Sequence, residues 1–125
     1  MQALVVDDSR AIRSVICRML RQLGYTVIDA GNGREALDAL AKQTQTPDLA
    51  LLDWNMPVMD GYALLCELRR DPRYAATQIM MVTTETEISR MVSALEAGAN
   101  EYLMKPFTAE ALQEKLAVMG LSLAA

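Results

Sequence analysis

Three aspartates in this chain stand where an apolar run ends. The segment LALLD closes its run with Asp53, and the earlier segment ALVV is followed directly by Asp7 and Asp8. Short uninterrupted apolar runs are typical of strands that are buried on both faces of a parallel sheet. An acid after such a strand lies at the carboxyl edge of the sheet, where open α/β folds bind ligands. Asp53 alone could equally begin a turn, so its partners decide the interpretation.

Two later apolar runs are also followed by polar residues. Thr83 and Thr84 follow IMMV, and Lys105 follows EYLM. Because the carboxyl ends of parallel strands face the same edge, we expect these side chains to converge with the three aspartates. Neighbouring carboxylates resist ionisation unless a cation lies among them, and oxygen ligands favour a hard cation such as Mg²⁺. A lysine and a hydroxyl at the same edge suit a phosphoryl group, whose charge and oxygens they can bind.

The elements that must position these residues alternate between strand and helix. Short apolar runs predict strands at 3–6, 25–28, 49–52, 79–82 and 101–104. Apolar residues at helical spacing predict helices at 9–23, after the cap Asn32, around Leu64–Leu68, from Ile88 towards Gly98, and at 108–119. In the first helix, Ile12 and Val15 belong to the apolar face and the arginines to a solvated face. Five such units predict an α/β fold with a parallel sheet covered by helices on both faces.

Composition restricts the class of protein. A chain of 125 residues with 52% hydrophobic and 22% charged residues predicts one globular domain over residues 1–125. The net charge of −4 argues against nucleic acid as a partner, and the absence of histidine excludes histidine-based catalysis. The apolar runs are too short to span a membrane and no secretion signal opens the sequence, so we expect a cytoplasmic protein without membrane insertion.

Four motifs in this order resemble those of the response-regulator receiver domains. They are VVDDS, DWNMPVMDG, MVTTE and KPFT, and together they extend over essentially the whole chain. The match is best with single-domain, chemotaxis-type members of the family. The resemblance implies the flavodoxin-like, doubly wound sheet of five parallel strands in the order 2-1-3-4-5 with five helices.

The resemblance also assigns roles to the residues at the sheet edge. Asp53 is expected to be the phosphoacceptor, which takes a phosphoryl group from a histidine kinase and so catalyses its own phosphorylation and dephosphorylation without being a conventional enzyme. Mg²⁺ is expected to be held by Asp7, Asp8 and Asp53, with Asp8 and Asp53 as direct ligands. The backbone carbonyl of Asn55 is expected to be a further ligand.

The remaining roles implied by the resemblance concern charge, switching and access. Lys105 is expected to pair with the phosphoryl oxygens, and its peptide bond to Pro106 to be cis. Thr83 and Tyr102 match a switch pair that reports phosphorylation to the surface of helix 4, strand 5 and helix 5. Thr84 stands where the family often has a smaller residue, so we expect it to modulate access to Asp53; Asn55 and Glu85 are expected to do the same.

A different class of protein shares part of this pattern. Haloacid-dehalogenase-like phosphatases also use an aspartate nucleophile after a strand, a threonine, a lysine and Mg²⁺. They need a second aspartate two residues after the nucleophile, where this chain has Asn55, and their acidic pair comes late, whereas Asp7 and Asp8 come early. A flavodoxin-like electron carrier is disfavoured because no phosphate-binding loop rich in Ser, Thr and Gly follows the first strand.

Partners follow from the same resemblance. The sequence ends soon after its fifth helix with LSLAA, so we expect signalling in a two-component, chemotaxis-type phosphorelay by binding of a target protein rather than through an output domain. We also expect a monomer. The target is expected to bind the face of helix 4, strand 5 and helix 5, and a phosphatase is a further possible partner. A receiver cut from a longer regulator stays open as an alternative.

Overall fold

A computed structural model describes residues 1–84 and 88–121 of the chain. Within this part the chain forms five strands, five α-helices and one short 3₁₀ helix (Pro72–Tyr74). In chain order the main elements are β1 (Gln2–Val6), α1 (Arg10–Gln22), β2 (Thr26–Ala30), α2 (Gly33–Ala41), β3 (Leu49–Asp53), α3 (Gly61–Arg70), β4 (Gln78–Thr83), α4 (Ile88–Glu96), β5 (Glu101–Met104) and α5 (Ala109–Val118).

The strands form one parallel sheet in the order β2-β1-β3-β4-β5. This confirms the predicted flavodoxin-like topology. The central position of β3, flanked by β1 and β4, explains why all five of its residues are buried. Because all strands run the same way, the segments after β1, β3, β4 and β5 meet at one edge of the sheet.

Helices cover both faces of the sheet, as predicted. One core joins alternate strand residues such as Leu52 and Met81 to α2, α3 and α4, and contains Leu40 and Leu65. The other core joins the intervening strand residues to α1 and α5, and contains Leu20. The strand alternation therefore decides which helix layer each side chain meets.

Side-chain caps explain where four of the helices begin. The side chains of Ser9, Asn32, Asp60 and Thr108 each accept a hydrogen bond from the backbone N–H three residues later. Each cap satisfies one of the N–H groups that a helix leaves without an internal partner. The cap predicted at Asn32 is confirmed, and its helix begins at the next residue.

The boundaries of β2 differ from the prediction. The strand begins at Thr26 and continues to Ala30, whereas the apolar run indicated 25–28. Tyr25 is buried ahead of the strand, and its hydroxyl donates to the carbonyl of Leu121 at 3.0 Å. Tertiary packing against the end of α5 therefore accounts for this tyrosine.

One expectation for α1 was wrong, namely that Arg13 would be solvated. Ile12 and Val15 are 40% and 47% exposed, and with Phe107 they line an apolar groove of about 430 Å³. Arg13 is not solvated, because its guanidinium binds Asp29 at 2.9 Å and the carbonyl of Asp7 at 2.8 Å. The helix is rotated so that Ile16 and Leu20 fill the core, which leaves the neighbouring apolar positions at the surface.

Arg69 of α3 joins its helix to the segment that follows it and to the distant loop before β5. Its guanidinium donates four hydrogen bonds of 2.8 to 2.9 Å, to the carbonyls of Gly98, Tyr74 and Thr77 and to the side chain of Asn100. Burial lowers the pKa of this guanidinium, and the four oxygens satisfy most of its donors.

None of the helices in the described part of the chain is both long and apolar enough to cross a bilayer.

Candidate functional site

Asp53 is the last residue of β3 and lies at the carboxyl edge of the sheet. It is 7% exposed and stands opposite Val82 of β4. The next residue, Trp54, continues the pairing, because its N–H donates to the carbonyl of Val82 at 3.0 Å. Gly61 closes the loop, and a Cβ atom at this position would collide with the carbonyl of Asp53. The Asp-Gly sequence at residues 60 and 61 thus fits the cap of α3 and this close approach.

The other two aspartates lie beside it. Asp7, Asp8 and Asp53 each present a carboxylate oxygen within 4.8 Å of the others. Asp7 is buried and both of its oxygens are bound, one by the N–H of Ser9 at 2.8 Å and the other by Lys105 at 2.7 Å. Asp8 is exposed. The three carboxylates therefore form one cluster, as the sequence predicted, with Asp7 as its internally bound member.

Lys105 reaches this cluster from the end of β5. Its Nζ lies 2.7 Å from Asp7 and 3.2 Å from Asp53, and its backbone N–H donates to the carbonyl of Thr83 at 2.8 Å. The Lys105–Pro106 peptide is cis, as expected. Burial alone would lower the pKa of the ammonium, but the hydrogen bond to Asp7 and the charges of both aspartates outweigh it and raise that pKa. Lys105 is therefore a fixed cation at the site.

The electrostatic environment of Asp53 is unfavourable for its charge. Burial raises the pKa of Asp53 to about 6, and the negative charge of Asp7 adds to this effect. The charge and hydrogen bond of Lys105 act in the opposite direction without cancelling the rise. A second cation near Asp53 would therefore stabilise its carboxylate.

The chemistry of the cluster fits a divalent cation. Three carboxylates and one ammonium leave an excess of two negative charges when all are ionised. The donor atoms are oxygens without histidine or thiolate, which are the ligands that Mg²⁺ prefers. Because both oxygens of Asp7 already have partners, Asp8 and Asp53 are the carboxylates best able to bind an ion directly.

Thr83 and Tyr102 lie on neighbouring strands. Tyr102 stands opposite Met81, and Thr83 follows two residues later on the same face of the sheet, so the two form a diagonal pair. Thr83 is buried, whereas Tyr102 is half-buried and packs against the core. Thr83 is adjacent in sequence to Val82, which is the β4 partner of Asp53, so it lies at the same end of the sheet as the cluster.

The positions expected to modulate access lie around the mouth of the cluster. Asn55 is exposed and lines an open depression of about 370 Å³ together with Asp8 and Met56. Thr84 is exposed and lines the apolar groove of α1 on the other side, beside Lys105. Glu85 lies outside the described residues. The influence of these residues on access stays a prediction.

Two basic residues near the site were not found from the sequence. Arg90 of α4 contacts Trp54 and Asn55, and Lys115 of α5 lies with its Nζ 4.6 Å from the centre of the Tyr102 ring. Lys115 also binds Glu101 at 3.0 Å. In the sequence, each of the two is simply a basic residue on a helix that follows a strand of the site. That pattern does not indicate which side chains they contact.

Comparison with known proteins reveals relatives over nearly the whole chain. Residues 3–117 match the family model of the response regulator receiver domain. The chain is 43% identical over 120 residues to chemotaxis protein CheY1 of Helicobacter pylori, covering 95% of this chain and 96% of that protein. It is 40% identical to chemotaxis protein CheY of Pseudomonas aeruginosa, covering 93% of each.

Solved structures give the same result. The crystallised chemotaxis protein CheY4 of Vibrio cholerae superposes with a TM-score of 0.86 at 38% identity, covering 94% of this chain and 96% of that one. A putative two-component system response regulator/GGDEF domain protein superposes with a TM-score of 0.87 at 32% identity, covering 97% of this chain but 50% of that one. The same fold therefore occurs both in chains of similar length and within a longer one.

Proposed function

The chain belongs to the response regulator receiver domain family, and from this premise we propose that residues 1–125 form one receiver domain that is a phosphorylation-activated switch of the chemotaxis type. Asp53 accepts a phosphoryl group from a histidine kinase of a two-component system. The modified protein then binds a target protein in the cytoplasm. The chemotaxis names of relatives that match along nearly their whole length support this output.

One observation carries the proposal. Asp53 ends a buried strand with the Lys105 ammonium 3.2 Å away and two further carboxylates within 4.8 Å. A structural aspartate at a strand end needs neither a buried lysine nor two acidic neighbours. Burying these charges together costs free energy of folding, which favours a functional role for the cluster. The raised pKa of Asp53 supports the same interpretation.

The proposed reaction is a phosphoryl transfer between two side chains. An Asp53 carboxylate oxygen attacks phosphorus, the bond from phosphorus to the kinase imidazole nitrogen breaks, and the imidazole takes up a proton. Lys105 binds an oxygen of the transferred group, and the Thr83 hydroxyl donates to another. Mg²⁺, held by Asp8 and Asp53 with the Asn55 carbonyl and supported by Asp7, supplies charge stabilisation of the phosphoryl oxygens when bound.

The proposed switch uses the diagonal pair on β4 and β5. When Thr83 binds the phosphoryl group, the space between it and Tyr102 changes and the tyrosine ring reorients. Phosphorylation shifts the population because it contacts the two states differently. The partner surface consists of α4, β5 and α5, where Val92 and Leu95 are each 45% exposed.

The haloacid-dehalogenase-like alternative is disfavoured by Asn55. A carboxamide cannot act as the general acid and base that such a phosphatase needs two residues after its nucleophile. Turnover of a phosphate ester by the purified chain would restore that alternative.

The proposal is tested by phosphorylation with a small acyl phosphate and Mg²⁺. Mass spectrometry should find phosphate on Asp53 in the wild-type chain and none on Asp53→Asn. The exposed Asp38 of α2 provides a matched control, and Asp38→Asn should be labelled like the wild type. Labelling that persists in Asp53→Asn would overturn the assignment.

A further inference from the structure

Arg90 makes two contacts with the loop that follows β3. Its guanidinium carbon lies 5.3 Å from the centre of the Trp54 ring, within the range of a cation–π contact. Its Nη1 donates to Oδ1 of Asn55 at 3.4 Å, a long hydrogen bond. These residues immediately follow Asp53 in sequence, so one side chain of α4 binds both of them.

The contact with Asn55 favours one orientation of its carboxamide. A guanidinium has only donors, so it binds the oxygen of an amide and repels the NH₂ group. With Oδ1 accepting from Arg90, Nδ2 is the donor left for other partners, and Asn55 lines the depression together with Asp8. A contact of this kind favours the amide NH₂ group, rather than its oxygen, as the group available at the mouth of the carboxylate cluster.

The contact with Trp54 holds the arginine in place. Trp54 is 9% exposed and its ring also stacks on Tyr62, with the ring centres 5.5 Å apart and an angle of 26° between the planes. The indole is therefore a fixed surface, and a guanidinium packed on it loses freedom to turn into solvent. A solvated arginine, by contrast, would make neither contact.

We propose that Arg90 is a positioning residue for the chemistry at Asp53, which it influences by holding the Asn55 carboxamide with its NH₂ group directed to the phosphoryl site. The inference rests on the proposed function of Asp53 and adds a regulator of phosphate lifetime.

The orientation of the amide affects hydrolysis of the phosphorylated aspartate. In that step a water oxygen bonds to phosphorus, the bond from phosphorus to the Asp53 oxygen breaks, and inorganic phosphate leaves with the protons of the water. An Asn55 NH₂ group donates to a phosphoryl oxygen but cannot accept a proton from the attacking water. The oxygen of the same amide could accept that hydrogen bond and orient the water. Arg90 therefore lengthens the lifetime of the phosphorylated state.

The test uses the full chain, which is phosphorylated with a small acyl phosphate and Mg²⁺. The remaining acyl phosphate is then removed and the loss of phosphate from the protein is followed. Arg90→Met retains the stem of the side chain but removes its donors and charge. Phosphate loss in this variant should be about 3- to 10-fold faster than in the wild type, the ratio that corresponds to one hydrogen bond. Arg90→Lys retains a cation that can donate to Oδ1 of Asn55, and it should restore a rate near that of the wild type.

Two comparisons separate positioning from a general structural effect. In the Asn55→Ala background, Arg90→Met should cause no further acceleration, because the amide through which it acts is gone. Arg70→Met removes an exposed arginine that pairs with Glu67 on α3, and it should leave the rate unchanged. The emission of Trp54 in the unphosphorylated protein should change in Arg90→Met and not in Arg70→Met.

The outcomes distinguish this inference from the proposed function. Absence of phosphate on Asp53 in the wild type would overturn both. A labelled wild type with the same rate of phosphate loss in Arg90→Met, or a full Arg90→Met effect in the Asn55→Ala background, would overturn the role of Arg90 alone.

Discussion

The Lys105 ammonium lies nearer to Asp7 than to Asp53. The two distances are 2.7 Å and 3.2 Å, and the bond to Asp7 is the shorter although Asp53 is the proposed phosphoacceptor. Asp7 thus holds the lysine at the edge of the site while Asp53 remains only partly neutralised. Burial of Asp53 and the negative charge of Asp7 outweigh the effect of this lysine, and the pKa of Asp53 is therefore raised to about 6.

We predict that Mg²⁺ stabilises the fold. An ion that binds the assembled cluster but not the unfolded chain should raise the free energy of unfolding by about 1–3 kcal/mol at concentrations well above its dissociation constant. Urea unfolding with and without Mg²⁺ measures this effect, and Trp54 fluorescence should report binding. Asp8→Ala should remove the stabilisation, whereas Asp38→Ala should retain it. Equal stabilisation of both variants would contradict the proposed site.

The stability of the metal-free protein should depend on the ionisation of Asp53. Its pKa in the folded state, about 6, lies above the ordinary value of 3.8, so the folded state binds the proton more tightly than the unfolded state. The free energy of unfolding should therefore fall as pH rises from about 4 to about 6, by on the order of 2–3 kcal/mol.

Asp53→Asn removes this dependence because the amide carries no charge. In the presence of a chelator, the variant should be more stable than the wild type at pH 7 and similar to it at pH 4. Asp38→Asn, which changes an exposed aspartate, should follow the wild-type curve. Urea titrations across this pH range measure both, and parallel curves for Asp53→Asn and wild type would contradict the prediction.

Thr83→Ala should separate phosphorylation from switching. The variant should still accept phosphate on Asp53, because the nucleophile and Lys105 are unchanged. The NMR signals of the Tyr102 ring should then respond far less to phosphorylation than in the wild type, and the gain in affinity for a partner should be mostly lost. Thr83→Ser retains the hydroxyl and should behave like the wild type. A full Tyr102 response in phosphorylated Thr83→Ala would indicate another route.

Arg69→Met should destabilise the protein strongly. The substitution leaves the carbonyls of Gly98, Tyr74 and Thr77 without their guanidinium donors, at a cost of about 2–4 kcal/mol. Arg69→Lys should recover only part of this, because one ammonium cannot reproduce the planar fork. Urea unfolding measures the change, with the exposed Arg70→Met as control. A loss in Arg69→Met no larger than in this control would show that the hydrogen bonds are replaced by water.

Val58→Gly should stabilise the loop after β3. Val58 has a φ of 71°, and the N–H of Met59 donates to the carbonyl of Pro57 at 2.8 Å, which is a γ-turn with a positive central φ. A β-branched residue is strained there, and its side chain is 82% exposed, so its removal costs little burial. Glycine should raise the free energy of unfolding by about 1 kcal/mol. Val58→Ala retains the Cβ atom and should gain much less.

The sequence alone determined the order of strands and helices and the edge where the polar residues meet. Apolar runs identify buried strands because a sheet that is covered on both faces excludes polar side chains, and residues such as Asp53 and Lys105 mark their ends. Caps such as Asn32 are equally local signals. The strand order 2-1-3-4-5, by contrast, was predicted from the resemblance to receiver domains and not from the hydrophobic pattern.

Only the tertiary structure decided which of these residues contact one another. Lys105 binds Asp7 across 98 positions of the sequence, and Arg90 binds Asn55 across 35. The rotation of α1, which exposes Ile12, likewise depends on its fit against the sheet and α5. Local patterns report which face of an element is apolar, but the packing of the whole domain sets its rotation and the direction of each long side chain. For that reason the sequence located the site, and the fold assigned its contacts.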